Sequence, residues 1–148
     1  MEAAKPKPIV GALAPVYDRT VPLAYTLVRL TVGLMLLPHG IPKVQQGIEA
    51  FAQQSIAGRG LKPALLIAYL VVFNETIGAV MIAVGLLTRV VAFMVAVEMA
   101  VIVYVYWPKF GWTQPGYEYV LMWGLMAFAL VLGGGGRYSL DHYFGREV

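Results

Sequence analysis

Four long apolar runs, separated by short polar breaks, set the pattern of the chain. Each comes close to the roughly 20 apolar residues that a helix needs to cross the hydrocarbon core of a bilayer. The first covers 22–43, with Pro22 at a position suited to a helix start and Pro38 and Pro42 expected to bend or end it. The second covers 63–87, again with proline at its head. The third covers 89–107 and is rich in Val, Met and Ala, and the fourth covers 116–132 and stops at Gly133-Gly134-Gly135-Gly136. Four glycines in succession do not continue a helix.

The breaks differ in kind. Between the second and third runs stand only Leu87-Thr88-Arg89, which predicts a tight antiparallel hairpin. Between the first and second lies 45–62, where Gln45, Gln46, Glu49, Gln53 and Gln54 alternate with Ile48, Phe51 and Ile56. This reads as a short amphipathic helix at the membrane surface, broken by Gly58-Arg59-Gly60. The expected architecture is all-α: one domain over 1–148, an integral membrane four-helix bundle preceded by a polar tail over 1–20. That tail lacks the apolar core of a secretory signal.

Composition supports lipid as the solvent. Of the 148 residues, 59% are apolar, and the mean hydropathy is +0.72, above the range of soluble domains. The formal charge is +3, with basic residues scattered between the apolar runs, a distribution that argues against nucleic acid as a partner. With no cysteine, the chain has no thiol chemistry, disulfide or thiolate metal site of its own. Four spans place both termini on one side. That side carries Lys5, Lys7, Arg19, Arg89, Arg137 and Arg146 against Lys43, Arg59, Lys62 and Lys109 on the other, so both termini are expected in the cytoplasm of a plasma-membrane, multi-pass protein.

The candidate chemistry lies in charges within the apolar runs, each costing on the order of 3 kcal/mol at mid-membrane and therefore expected to face the interior and pair. In the first run Arg29, Gly33, Gly40 and Lys43 fall within about 40° of one helical direction. The second run offers Asn74 and Glu75, the third Glu98 and the fourth Glu118. Two polar layers are expected. Arg29 pairs with Glu75, and with Glu98 as a further candidate, deep inside; His39, Lys43 and Glu118 gather at the outer mouth. Buried ion pairs also serve merely to specify helix packing. A single arginine neutralises a single carboxylate, however, so a second deep carboxyl is expected to hold a proton or to meet water or a ligand.

His39 and His142 fall on opposite sides, which argues against a shared metal or haem site. Tyr104, Tyr106, Trp107, Phe110, Trp112, Tyr117 and Tyr119 gather around the connection between the third and fourth runs. They read as an interfacial belt or as a stacking wall for a flat ligand such as a quinone ring.

Several short elements in fixed order carry a family resemblance: Arg29 with Gly33, His39-Gly40 with Lys43, Glu75 with Gly78, Gly85-Leu86 with Thr88-Arg89, Glu118, and the closing Gly136-Arg137-Tyr138-Ser139-Leu140-Asp141. This arrangement resembles the DoxX family of small four-helix membrane proteins, related to the quinone-side subunit of archaeal thiosulfate:quinone oxidoreductase. The resemblance implies a plasma-membrane protein of quinone or thiol-stress redox systems that acts with other subunits or as a homo-oligomer. It carries over Arg29, His39, Lys43, Glu75, Glu118 and Asp141 as family positions. Glu98 is not matched to the pattern, and Asn74, Arg89, Arg137 and Asp141 are expected to be structural, with Asp141 and Arg137 capping the end of the fourth helix and pairing with Arg89. The leading expectation is a quinone-interacting or anchoring subunit of an oxidoreductase, with His39, Lys43 and Glu118 exchanging protons with quinone oxygens. No catalytic residue is assigned, because no redox centre is visible and electrons must come from a partner. A dimeric proton-coupled transporter using Glu75 or Glu98 is the alternative, and a structural assembly factor the second.

Overall fold

The computed structural model describes residues 8–111 and 116–146; Lys5, Lys7 and Trp112 lie outside them. Among the described residues the chain is helical, with no strand. Helix α1 spans Ala14–Gln45. A short helical segment follows, composed of α2 (Ile48–Phe51), a π-helical turn at Ala52–Ile56 and a 3-10 turn at Ala57–Arg59. Next come α3 (Ala64–Phe73), a π-helical stretch Asn74–Gly78 and α4 (Ala79–Val84), continuous as Ala64–Val84. Helices α5 (Thr88–Tyr106), α6 (Glu118–Gly133) and α7 (Leu140–Tyr143) complete the order. Three helices, Gly11–Gln45, Ala64–Val84 and Thr88–Tyr106, are long and apolar enough to cross a membrane. The fourth, α6, is apolar but only 16 residues long, about 24 Å at 1.5 Å per residue.

Helix α1 departs from the expected 22–43. It begins eight residues earlier and runs through Pro22, Pro38 and Pro42. A proline removes one backbone donor, and a helix end follows only where nothing else holds the turn. Around Pro22 the hydroxyls of Thr20 and Thr26 donate to Val16 O at 3.0 Å and Pro22 O at 2.9 Å. Part of the predicted polar tail is therefore helix.

The register of α1 against the second helix is set by two glycines. A Cβ on Gly33 would lie 2.5 Å from Ala79 O, and one on Gly40 would lie 2.5 Å from Glu75 O, so the two backbones touch and nothing larger fits between them. With Arg29 against Gly85, the pairing is antiparallel. It has two consequences: the residues of α1 before Tyr25 run past the end of the hairpin with Val16, Val21 and Leu23 exposed, and the last turn of α1 stops beside the middle of Ala64–Val84. Lys43 is therefore not at an outer mouth, which corrects the sequence expectation. Replacing Gly40 by alanine is expected to force these backbones apart at a cost of about 1–3 kcal/mol. Denaturation in detergent measures this, and an unchanged midpoint would show that the helices slide to absorb the methyl group.

The amphipathic segment is helical as expected, but its apolar side closes onto α3 instead of lying free. Phe51, Ala52 and Ile56 pack with Ala68 and Val72 in a small core of their own. The main core joins α1, α4, α5 and α6 through Val32, Leu36, Ile82, Val95 and Leu130. The tight connection after α4 uses Gly85 at φ +75, where Arg29 and Ser139 crowd the space a side chain would need, and Leu87 at φ +48.

Candidate functional site

Asn74 and Glu75 are consecutive, and on an α-helix consecutive side chains diverge by about 100°. Both are nevertheless only 3% exposed. The reason is the π-helical stretch that begins at Asn74, since the wider turn admits one more residue to the inner face. Such π-bulges recur at functional sites. Neighbouring polar residues inside an apolar run were the one sequence signal for it, and sequence reasoning took them as an ordinary helical face.

Four polar side chains converge at this level. The Lys43 ammonium forms an ion pair with Glu75 Oε2, and Asn74 Nδ2 donates to Glu98 Oε2 at 2.9 Å. The Glu75 and Glu98 carboxyls are near enough to feel each other and Lys43. Glu75 sits eleven residues after Ala64 and nine before Val84, about 16 and 14 Å along the axis, so the cluster lies near the midpoint of the second long helix and beside the last turn of α1. Of its four members Lys43 is the most exposed, with a side chain 23% exposed that lies 5.3 Å from the centre of the Phe51 ring. Three buried polar atoms of this interior, Asn74 Oδ1, Glu98 Oε1 and Trp123 Nε1, have no hydrogen-bond partner among the described residues. Trp123 belongs to this level because Gly124 abuts Met99, the residues next to Trp123 and Glu98. Sequence reasoning did not single it out.

Arg29 does not join this cluster, which corrects the expected Arg29–Glu75 pair. It is 2% exposed and donates from Nη1 to Gly135 O at 2.6 Å and from Nη2 to Tyr138 O at 2.7 Å. The physical reason is the register set by Gly33 and Gly40, which leaves Arg29 level with Gly85 at the end of the hairpin. There it ties α1 to the glycine-rich turn after α6. The same knot contains Tyr25, whose hydroxyl donates to Gly134 O at 2.7 Å, and Asp141. The Asp141 carboxylate accepts from Leu87 N at 2.7 Å, Thr88 N at 2.9 Å and Thr88 Oγ1 at 2.7 Å. Arg89 instead donates to Val131 O and Leu132 O at 2.7 and 2.8 Å. Asp141 thus caps the start of α5 and Arg89 the end of α6, in place of a pairing between them. Arg137 is exposed, with its guanidinium 6.0 Å from the centre of the Tyr138 ring.

The expected outer layer is not assembled. Lys43 is engaged inside, His39 is exposed on α1, and Glu118 is the half-buried first residue of α6, where an acid favours the helix dipole. His142 lies in α7, at the opposite end from Glu118. Of the aromatic group, Trp107 stacks on Tyr117 at 5.3 Å and Phe110 meets the same ring edge-on at 5.5 Å, while Tyr119 packs on Trp123 at 5.4 Å. Several of these faces are filled by one another. Among the described residues no three His, Asp or Glu side chains converge in a way that could hold a metal ion.

The DoxX family model matches residues 24–107, a stretch that contains Arg29, His39, Lys43, Asn74, Glu75 and Glu98 and ends before α6. No curated protein and no solved structure matches the chain. With three helices of membrane-crossing length and more than half of its residues matched, the chain belongs to the DoxX family of membrane proteins.

Proposed function

We propose that the protein spans the plasma membrane as a four-helix bundle with cytoplasmic termini and serves as the proton-exchanging, quinone-interacting subunit of an oxidoreductase system. The observation that carries this reading is the buried cluster itself. Two carboxyls share one lysine in an apolar interior, so electroneutrality leaves one proton on the carboxyl pair. The Asn74 amide suits either state of Glu98: Nδ2 donates to the carboxylate, and a half-turn presents Oδ1 to the acid. A quinone supplies two carbonyl oxygens that accept hydrogen bonds and take up protons when a partner delivers electrons. The unpartnered Trp123 Nε1 and the carboxyl pair suit those oxygens, whereas His39 and Glu118 are not positioned with them. Quinone rests on the family resemblance, and the proton site on the geometry.

A second reading, proton-coupled transport by a dimer, draws support from the partial exposure of Lys43, which opens the cluster toward one side. Quinone titration of the purified protein in lipid nanodiscs, followed by tryptophan quenching, separates the two. Saturable quenching is expected, weakened at least tenfold by Glu98→Gln with the fold retained. Quenching that never saturates and is equal in both proteins would sink the quinone reading, and a proton-dependent flux in liposomes, lost in Glu75→Gln, would establish transport.

A further inference from the structure

At the end of the bundle where α6 stops, a cleft of about 630 Å³ opens beside the capping knot. Arg137, His142 and Arg146 line it, Asp141 is its buried acidic member, and the rest of its wall is glycine. The Asp141 carboxylate is already engaged by three donors from Leu87 and Thr88. Among the described residues no carboxylate pairs with Arg137 or Arg146. Among the described residues the cleft thus sets two exposed guanidiniums and His142 against one buried carboxylate, on a rim anchored by the bond from Arg146 N to Asp141 O at 3.1 Å. Gly145 leaves the backbone open to a close approach, while the Tyr25 ring fills the space beside Gly133 and Gly136.

The surroundings identify the kind of anion. Tyr138, Tyr143 and Phe144 are 49%, 81% and 60% exposed beside the cleft, an aromatic fringe of the sort found at the level of lipid headgroups. Leu132 and Phe128 are exposed on α6, the helix whose last residue, Gly133, lines the cleft, so apolar surface leads away from the cations. Basic pockets at the ends of membrane helices bind the headgroups of anionic phospholipids.

We propose that this cleft is a binding site for a phosphodiester group, supplied by an anionic phospholipid whose headgroup sits between Arg137 and Arg146. The proposal rests on the membrane placement of the helices and not on the quinone reading. The site fixes the glycine-rich turn, and with it the knot of Arg29 and Asp141, to one leaflet.

Native mass spectrometry of the full chain tests it, with short-chain phosphatidylglycerol, short-chain phosphatidylcholine and inorganic phosphate as probes. Phosphatidylglycerol is expected to be retained at least tenfold over phosphatidylcholine. Arg137→Gln with Arg146→Gln should remove that preference while the melting temperature is unchanged, since both side chains are exposed. Arg59→Gln, away from the cleft, should keep it. Equal retention of the two lipids, or a preference that survives the double substitution, would overturn the site. Displacement of phosphatidylglycerol by an equal concentration of inorganic phosphate would overturn the lipid as the source and leave a free-phosphate site.

Discussion

Asp141→Ala is expected to destabilise the fold by about 3–5 kcal/mol, because two buried donors of Thr88 and the half-buried Leu87 amide lose their acceptor together and each costs roughly 1–3 kcal/mol unmatched. The residue is only 5% exposed. Its carboxylate does for α5 what a local capping side chain does elsewhere: Leu87 and Thr88 begin the helix, whose first N–H groups have no partner within it, and no side chain of α5's own N-cap serves them. It also holds the Leu87 amide while Leu87 itself has φ +48, a conformation that a branched apolar residue adopts only when its surroundings impose it. Asp141→Asn keeps one oxygen and is expected to lose about 1–2 kcal/mol. Equilibrium unfolding in detergent, followed by far-ultraviolet circular dichroism, ranks the three proteins. An alanine variant within 1 kcal/mol of the parent would mean that water reaches the first turn of α5 and caps it.

Much of the architecture could be read from hydrophobicity, because in lipid every backbone group must be satisfied locally, so an apolar run of sufficient length has few alternatives to a helix. Three of the four expected helices meet that criterion in the structure, and the tight turn over 85–87 falls two residues before the break expected at Leu87-Thr88-Arg89. What the runs did not contain was depth. Proline was taken as the mark of the start of α1, and the helix was placed between Pro22 and Lys43. The register depends instead on where backbones touch, at Gly33 and Gly40, and that cannot be read from one helix alone.

The same cause explains the site. The residues expected to carry chemistry were named, but they were paired by depth counted from the wrong helix end. Once α1 is shifted, Arg29 falls on the capping knot and Lys43 on the carboxyls. Glu98, which the family pattern did not supply, enters the cluster through Asn74. Sequence periodicity placed Asn74 and Glu75 on a regular helix, and only the π-helical turn turns both inward. Trp123 was invisible for a different reason, since an indole in an apolar run reads as packing until its N–H is found buried without a partner.

Lys43→Met is expected to cost about 3–5 kcal/mol, as the loss of one member of a buried pair leaves an uncompensated charge. Glu75 is 4% exposed at the side chain against 23% for Lys43, so the two single substitutions should differ. The lysine left by Glu75→Gln can extend its ammonium toward the exposed side, and about 1–2 kcal/mol is expected there. Lys43→Met combined with Glu75→Gln removes both charges, and its stability should return to within about 1 kcal/mol of the parent. The double variant then separates structure from function. If the pair only specifies how α1 meets the second helix, the refolded double variant keeps full activity in its host system. If the carboxyl pair exchanges a proton, that variant is stable and inactive. Infrared difference spectra should then lack the carboxylic-acid band that the parent shows and Glu98→Gln abolishes, because without the Glu75 carboxylate no neighbouring base receives the Glu98 proton.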